Sequence, residues 1–264
     1  MDFSQITEVI VNFIKNEIEA RKAESVVIGI SGGIDSAVLA YLAVMALGKK
    51  RVLGLLMPDK DVTPLSDITD GLQVCNLLGI GYKKAEVNSP KQGFNKILER
   101  SENRVIEGNL VARIRMCILY YYAAMNSGLV LGSSNKTELF LGYFTKYGDG
   151  AADLLPLGDL YKTEIIGLGK YLEIPNAILD KKSSARLWTN QITEVELGLP
   201  FSQLDVVVDK LLDLQKNKVY NQISDYKSDF PGIDLQSVQR IQKLIVANQH
   251  KLSFPPLCKL PKGI

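Results

Sequence analysis

The sequence predicts an α/β protein: a doubly wound parallel sheet with helices on both faces and a helical C-terminal subregion. Three observations carry this. Short apolar, β-branched runs alternate with longer stretches of helical periodicity through the first half of the chain. The first apolar run ends in a glycine pair that opens directly into an apolar helix. Beyond Gly142 the alternation gives way to a loop and then to helical patterns alone.

Each element follows from its local pattern. Phe3, Ile6, Ile10, Phe13 and Ile14 fall at helical spacing, so the chain opens on an amphipathic helix. Val26-Val27-Ile28-Gly29-Ile30 reads as a buried strand headed by β-branched residues. Residues 37–47 make an apolar helix closed by Gly48, and residues 51–57 a second strand stopped by Pro58. Thr63-Pro64 predicts an N-cap followed by proline at the first helical position, with that helix ending near Gly79. Residues 82–87 form a third, more polar strand. A long helix over 105–125 precedes a short strand, Leu129-Val130-Leu131, that stops at Gly132. Residues 143–157, with Gly148, Gly150 and Pro156, read as a binding loop. Helices are expected over 162–172, 201–214 and 233–249, with a polar irregular stretch at 180–199. The proline-bearing tail 251–264 reads as a docked extension. There is no internal repeat, and one domain over 1–264 is the simplest organisation.

Composition narrows the function classes. The 264 residues carry 31 basic and 29 acidic side chains, a net charge of +2 that argues against bulk nucleic-acid binding. Apolar runs are far shorter than the ~20 residues that span a bilayer, so no membrane partner is expected. The opening Met1-Asp2-Phe3-Ser4 has no basic flank, so no signal peptide is expected and the compartment reads as cytoplasmic. Cys75, Cys117 and Cys258 lie far apart and supply neither a disulfide framework nor a zinc ribbon. His250 is the only histidine, so a bound metal would be held by oxygens, which favours magnesium over zinc.

The strongest chemical signal is Ser31-Gly32-Gly33-Ile34-Asp35-Ser36, between a strand and a helix. Two glycines let backbone approach a phosphate closely, and the helix that follows offers free N–H groups and a positive dipole end. Ser31 and Ser36 add hydroxyls, and Asp35 places a carboxylate where magnesium would bridge to phosphate. The motif is neither GxxxxGK[ST] nor GxGxxG, so kinase, GTPase and dinucleotide-fold readings do not follow.

SGG-x-DS after a strand resembles the pyrophosphate-releasing ATPases, which include NAD synthetases, GMP synthetases, asparagine synthetases and several tRNA-modifying enzymes. Four further runs resemble the NAD synthetases specifically and occur in that family's order. They are Gly108-Asn109-Leu110-Val111-Ala112-Arg113-Ile114-Arg115-Met116, Leu131-Gly132-Ser133-Ser134-Asn135-Lys136-Thr137-Glu138, Gly142-Tyr143-Phe144-Thr145-Lys146-Tyr147-Gly148-Asp149-Gly150 and Asp153-Leu154-Leu155-Pro156-Leu157. The resemblance covers nearly the whole chain. It implies an adenine nucleotide alpha hydrolase-like fold and ATP-dependent amidation of deamido-NAD to NAD, with AMP and pyrophosphate as co-products. The chain begins one short helix before the ATP loop, so no glutamine-hydrolysing domain is expected and free ammonia is the implied nitrogen donor.

By the same resemblance, Gly29, Ile30, Ser31, Gly32, Gly33, Ile34, Asp35 and Ser36 hold ATP together with Ser133, Lys162 and Ser184. Asp35 and Glu138 bind magnesium. Arg113, Lys146, Asp153, His250 and Lys251 meet deamido-NAD. Lys162 stabilises charge on the leaving pyrophosphate, and no protein nucleophile is required. Relatives commonly carry threonine where this chain has Ser133 and Ser184. Over residues 183–194 the chain keeps Trp188, Gln191 and Glu194 but lacks the proline and aspartate usual in the family. Two other readings stay open at this point: a pyrophosphate-releasing amide synthetase acting on another carboxylate or base, and a nucleotide-binding regulator without catalysis. The helix over 108–125 is apolar on more than one face. That fits either a helix sandwiched inside one subunit or a two-fold interface, and the resemblance implies a homodimer.

Overall fold

The computed structural model describes residues 1–99, 101–216 and 230–260. Four parallel strands form the sheet: β1 (Ser25–Gly29), β2 (Val52–Leu56), β3 (Gly81–Lys84) and β4 (Gly128–Leu131), in spatial order β3-β2-β1-β4. Every connection between them runs through helix, as parallel neighbours require. α1 (Phe3–Ala20) precedes β1, α2 (Ile34–Leu47) joins β1 to β2, and α3 (Leu65–Leu78) joins β2 to β3. α4 (Asn88–Asn95) and α5 (Arg104–Met125) return the chain to β4.

Alternation along β1 explains why both faces are covered. Val26 and Ile28 pack with α1 and α2, whereas Val27 joins Leu55 and Val130 under α5. A central strand buried on both sides needs a continuous apolar run, which is what residues 26–28 supply. β3 is one edge of the sheet, exposed along its length, and Lys83 and Lys84 blunt it against edge-to-edge pairing. Its polar sequence has that cause.

Several boundaries differ from expectation for local reasons. α2 begins at Ile34 instead of residue 37, because Gly33 takes the N-cap position and Asp35 and Ser36 already lie in the first turn. Pro64 is itself the N-cap of α3, while the Thr63 hydroxyl accepts from the Asp59 N–H at 3.0 Å. β3 ends at Lys84, although Ala85 and Val87 still donate to the carbonyls of Leu56 and Pro58.

The C-terminal half adds α6 (Lys136–Leu141), α7 (Lys162–Tyr171), α8 (Asn176–Leu179), α9 (Thr193–Leu197), α10 (Phe201–Lys216) and α11 (Leu235–Asn248). α7 joins the main core through Ile165 and Leu168. Leu141, Leu204, Val208, Val238 and Ile241 build a second cluster from α6, α10 and α11. The tail is not docked as the sequence suggests: Phe254 is 96% exposed and Leu257 85%, and residues 261–264 lie outside the described residues. Nor is α5 sandwiched within the subunit. One face lies on the sheet, while Val105, Ile106, Tyr121 and Met125 face outward. Among the described residues no helix is long and apolar enough to cross a membrane.

Candidate active site

The carboxyl ends of β1, β2 and β4 open on a cavity of about 260 Å³. Ligands of open α/β sheets bind at this edge. Gly32 has φ +76°, and a Cβ there would stand 2.1 Å from the Asp67 carbonyl oxygen, so only glycine fits. The loop braces itself. Gly33 N–H donates to Ser31 Oγ (3.2 Å), and Ser36 Oγ accepts from Ser31 N–H (3.2 Å) while donating to the Gly33 carbonyl (3.0 Å). Ser36 is thus a buried support and not a hydroxyl offered to the cavity. Gly29, Ile30, Ser31, Gly33, Ile34 and Asp35 line the cavity wall.

Opposite the loop, the first turns of α6 and α7 bring two charged groups, Glu138 and Lys162, to Asp35. Asn135 caps α6, accepting from Glu138 N–H at 3.0 Å, and its amide donates to Asp35 Oδ1 at 3.0 Å. Lys162, only 1% exposed, pairs with Asp35 Oδ2, and its backbone N–H donates to Thr137 Oγ1 at 3.1 Å. Burial lowers the Lys162 ammonium pKa, but Asp35 and Glu138 outweigh it and hold the group above its ordinary value. Desolvation by the cleft walls, reinforced by Asp35, pushes the Glu138 carboxyl up to about 8, against the pull of Lys162. A carboxyl at the bottom of a cleft stays within reach of water and still loses most of its hydration. Two hard oxygen donors with too little positive charge between them suit a small divalent cation that also binds phosphate oxygens.

Ser133 and Ser184 also line the cavity. Ser184 belongs to a segment held from two sides. Trp188 stacks under the Arg104 guanidinium (4.9 Å), and Leu187 packs so closely on α5 that a Cβ at Gly108 would meet its Cβ at 2.7 Å. Gln191 accepts from Leu187 N–H at 2.9 Å and donates to the Tyr143 hydroxyl and to Glu196.

The residues expected to meet the dinucleotide do not line this cavity. Four of them gather in a neighbouring patch. Arg113 donates to the Lys146 carbonyl (3.4 Å), Lys146 to the His250 carbonyl (2.7 Å), and Lys251 to those of Gly142 and Phe144 (2.6 and 2.9 Å). Asp153 stands apart, accepting from Val130 N–H at 2.7 Å and from the Tyr120 hydroxyl. Asp149 links cavity and patch. It lines the cavity, is stabilised by Thr145 N–H at 2.9 Å, and interacts electrostatically with both Arg115 and Lys251.

Sequence reasoning missed Asp149, Arg115 and Lys181 as cavity residues. Arg113 and Arg115 are two positions apart on α5 and point about 200° apart, so only one can face the cavity. It is Arg115, whose Nε donates to the Met57 carbonyl at 3.1 Å.

A parallel sheet with a glycine-rich anion loop, a lysine and two carboxylates at its carboxyl edge defines a nucleotide-binding α/β protein. A family model described as NAD synthase matches residues 6–255, and the chain belongs to that family. An NH(3)-dependent NAD(+) synthetase of Archaeoglobus fulgidus is 39% identical over 260 residues, 98% of each chain. Among solved structures, an NMN synthetase from Francisella tularensis superposes with TM-score 0.84 at 33% identity over 99% of both chains. An NH3-dependent NAD synthetase from Campylobacter jejuni, in complex with nitrate, gives TM-score 0.79 at 33% identity, over 98% of this chain and 100% of that one.

Proposed function

We propose that this protein is an ammonia-dependent NAD synthetase, a C–N ligase that converts deamido-NAD, ATP and ammonia to NAD, AMP and pyrophosphate. The observation that carries the ATP chemistry is the meeting of Asp35, beside the glycine loop, with Glu138 and Lys162, both more than 100 residues further along the chain. The nicotinate carboxylate attacks the α-phosphorus and pyrophosphate leaves. Ammonia then attacks the activated acyl carbon and AMP leaves. The backbone of residues 29–35 cradles the phosphates, and Ser133 and Ser184 add hydroxyl donors. Lys162, rigid because it is buried and its helix turn is pinned through Thr137, presents fixed positive charge to the departing pyrophosphate. Asp35 and Glu138 would hold Mg²⁺, which neutralises charge on the transferring phosphoryl group.

The patch of Arg113, Lys146, His250 and Lys251 suits the pyrophosphate of the dinucleotide, and Asp153, which stands apart from it, would meet a hydrogen-bond donor elsewhere on the dinucleotide. Asp149 lies between patch and cavity, where the nicotinate would sit. Desolvation raises the Asp149 carboxyl above its ordinary value, and its place in the cavity wall suits it to take the proton that ammonium must lose before attacking.

Incubation with ATP, Mg²⁺, ammonium and deamido-NAD is expected to yield NAD and AMP; ADP in place of AMP would sink the reading. The similarity to the Francisella NMN synthetase favours a second reading, in which the acid is the mononucleotide. Competition between nicotinate mononucleotide and deamido-NAD decides between them, and a higher kcat/KM for the mononucleotide would establish the second.

The outward apolar face of α5, with Tyr121 and Met125, is proposed as the seam of a homodimer of single-domain subunits acting in the cytoplasm. Light scattering at micromolar protein is expected to give twice the 29.2 kDa chain mass. A 29.2 kDa species would rule the dimer out.

A further inference from the structure

Residues 181–187 form part of the cavity wall, and they are tied to α3 through the buried Asp67 carboxylate and to the phosphate loop through Lys181. We propose that Arg186 is a positioning residue for the nucleotide: through Asp67 it holds this segment, and with it Ser184, against the loop that receives the phosphates. The proposal deepens the ATP-dependent reading and rests on it.

The backbone at Arg186 has φ +50°, a left-handed conformation that costs an L residue energy and persists only where surrounding contacts compensate. The compensation is visible. Arg186 Nε donates to Asp67 Oδ2 at 2.6 Å and Nη2 to Oδ1 at 3.4 Å. The bent backbone also lets Arg186 N–H donate to Ser184 Oγ at 3.1 Å. A serine hydroxyl that accepts there keeps its own hydrogen for another acceptor, and the nearest chemical use for it is a phosphate oxygen.

Asp67 is 3% exposed and sits in the first turn of α3, whose backbone presses on Gly32. Lys181 completes the cluster. Its Nζ donates to Asp67 Oδ1 (2.9 Å), to the Gly32 carbonyl (2.9 Å) and to Asp70. Two cations and two carboxylates leave the cluster neutral, so its contribution to nucleotide binding is placement and not net charge. Lys181 keeps Asp70 and Gly32 when Arg186 is lost, so the segment loosens without detaching.

Arg186→Gly separates placement from folding. Glycine adopts φ +50° freely and retains the N–H for Ser184, which offsets part of the lost Asp67 pair, so the thermal midpoint should fall only slightly. Affinity for α,β-methylene-ATP, measured by calorimetry, should weaken about tenfold, because the nucleotide must then itself order the segment that carries Ser184. In turnover, KM for ATP should rise more than kcat falls, with KM for the acid substrate little moved. Arg186→Lys should recover part of the affinity, since one ammonium reaches one Asp67 oxygen. Unchanged analogue affinity in Arg186→Gly overturns the proposal. So does a strongly lowered midpoint with equal losses toward ATP and the acid substrate, which would mean a structural role alone. The analogue is read without turnover. A wild-type protein that binds it but makes neither NAD nor NMN therefore defeats the amidation reading and leaves this one testable by the same affinities.

Discussion

Lys162→Met is expected to lower turnover by about 10²–10³-fold, the range seen when one preorganised charge-stabilising donor is removed. The reason is the fixed position of the ammonium. It is enclosed by protein, paired to Asp35, and lies 5.5 Å from the Phe201 ring centroid, so it needs no reorganisation when charge builds on the leaving pyrophosphate. Methionine fills similar volume, and the α7 turn survives because its backbone anchors do not involve this side chain. Lys162 N–H still reaches Thr137 Oγ1, and Thr163 N–H still donates to Asp205 Oδ2 at 2.9 Å. Removing one partner of a buried ion pair costs about 3–5 kcal/mol where the other charge is stranded. Asp35 keeps Asn135 and is 18% exposed, so the stability loss should fall nearer 1–3 kcal/mol, the cost of about one hydrogen-bonded charge. Single-turnover measurement of AMP and pyrophosphate release, beside equilibrium binding of deamido-NAD, checks this. Equal losses in release and in deamido-NAD affinity would show that Lys162 serves the dinucleotide as well.

Lys162 also marks the limit of what was legible in the sequence. A lysine at a helix start is ordinarily a solvated charge, and only the family resemblance singled it out. Its burial comes from Asp35, Thr137 and Phe201, which local pattern does not place beside it. The strands were legible because β1, β2 and β4 are mainly buried, and burial on both faces imposes an apolar run that needs no knowledge of partners. The glycine loop was legible because its demand is local: a positive φ and a close approach at Gly32. Asp149 and Arg115 lie within family motifs, but only tertiary packing decides which side chains of a loop or helix face a cavity. The tail misled because three prolines suggest a fixed course, but prolines stiffen a chain without docking it.

Glu138→Gln is expected to have two opposite effects: higher stability of the metal-free protein above neutral pH, and loss of turnover. The stability effect follows from the sign of the shift. The Glu138 carboxyl, ordinarily near 4.5, is pushed up to about 8 by desolvation first and by Asp35 second. Between those values the folded protein holds a proton that the unfolded chain has released, so unfolding releases it and rising pH favours unfolding. The stabilisation tied to this group is therefore complete below pH 4.5 and lost as pH rises through about 8. Glutamine is neutral at every pH and removes this dependence. It also keeps α6 in place, because glutamine at this position can still complete the capping box with Asn135. Thermal melts of metal-free protein should show the wild type falling across pH 4.5 to 8 and the variant flatter. Added Mg²⁺ should stabilise the wild type increasingly as pH rises, since it binds the ionised carboxylate, and should stabilise the variant far less. Turnover should drop on the order of 10²-fold or more, beyond the usual cost of losing a mere supporting residue of a metal site. Parallel pH slopes in the two proteins would place the titrating group elsewhere. An undiminished Mg²⁺ response in the variant would remove Glu138 from the metal site and leave Asp35 as its sole carboxylate.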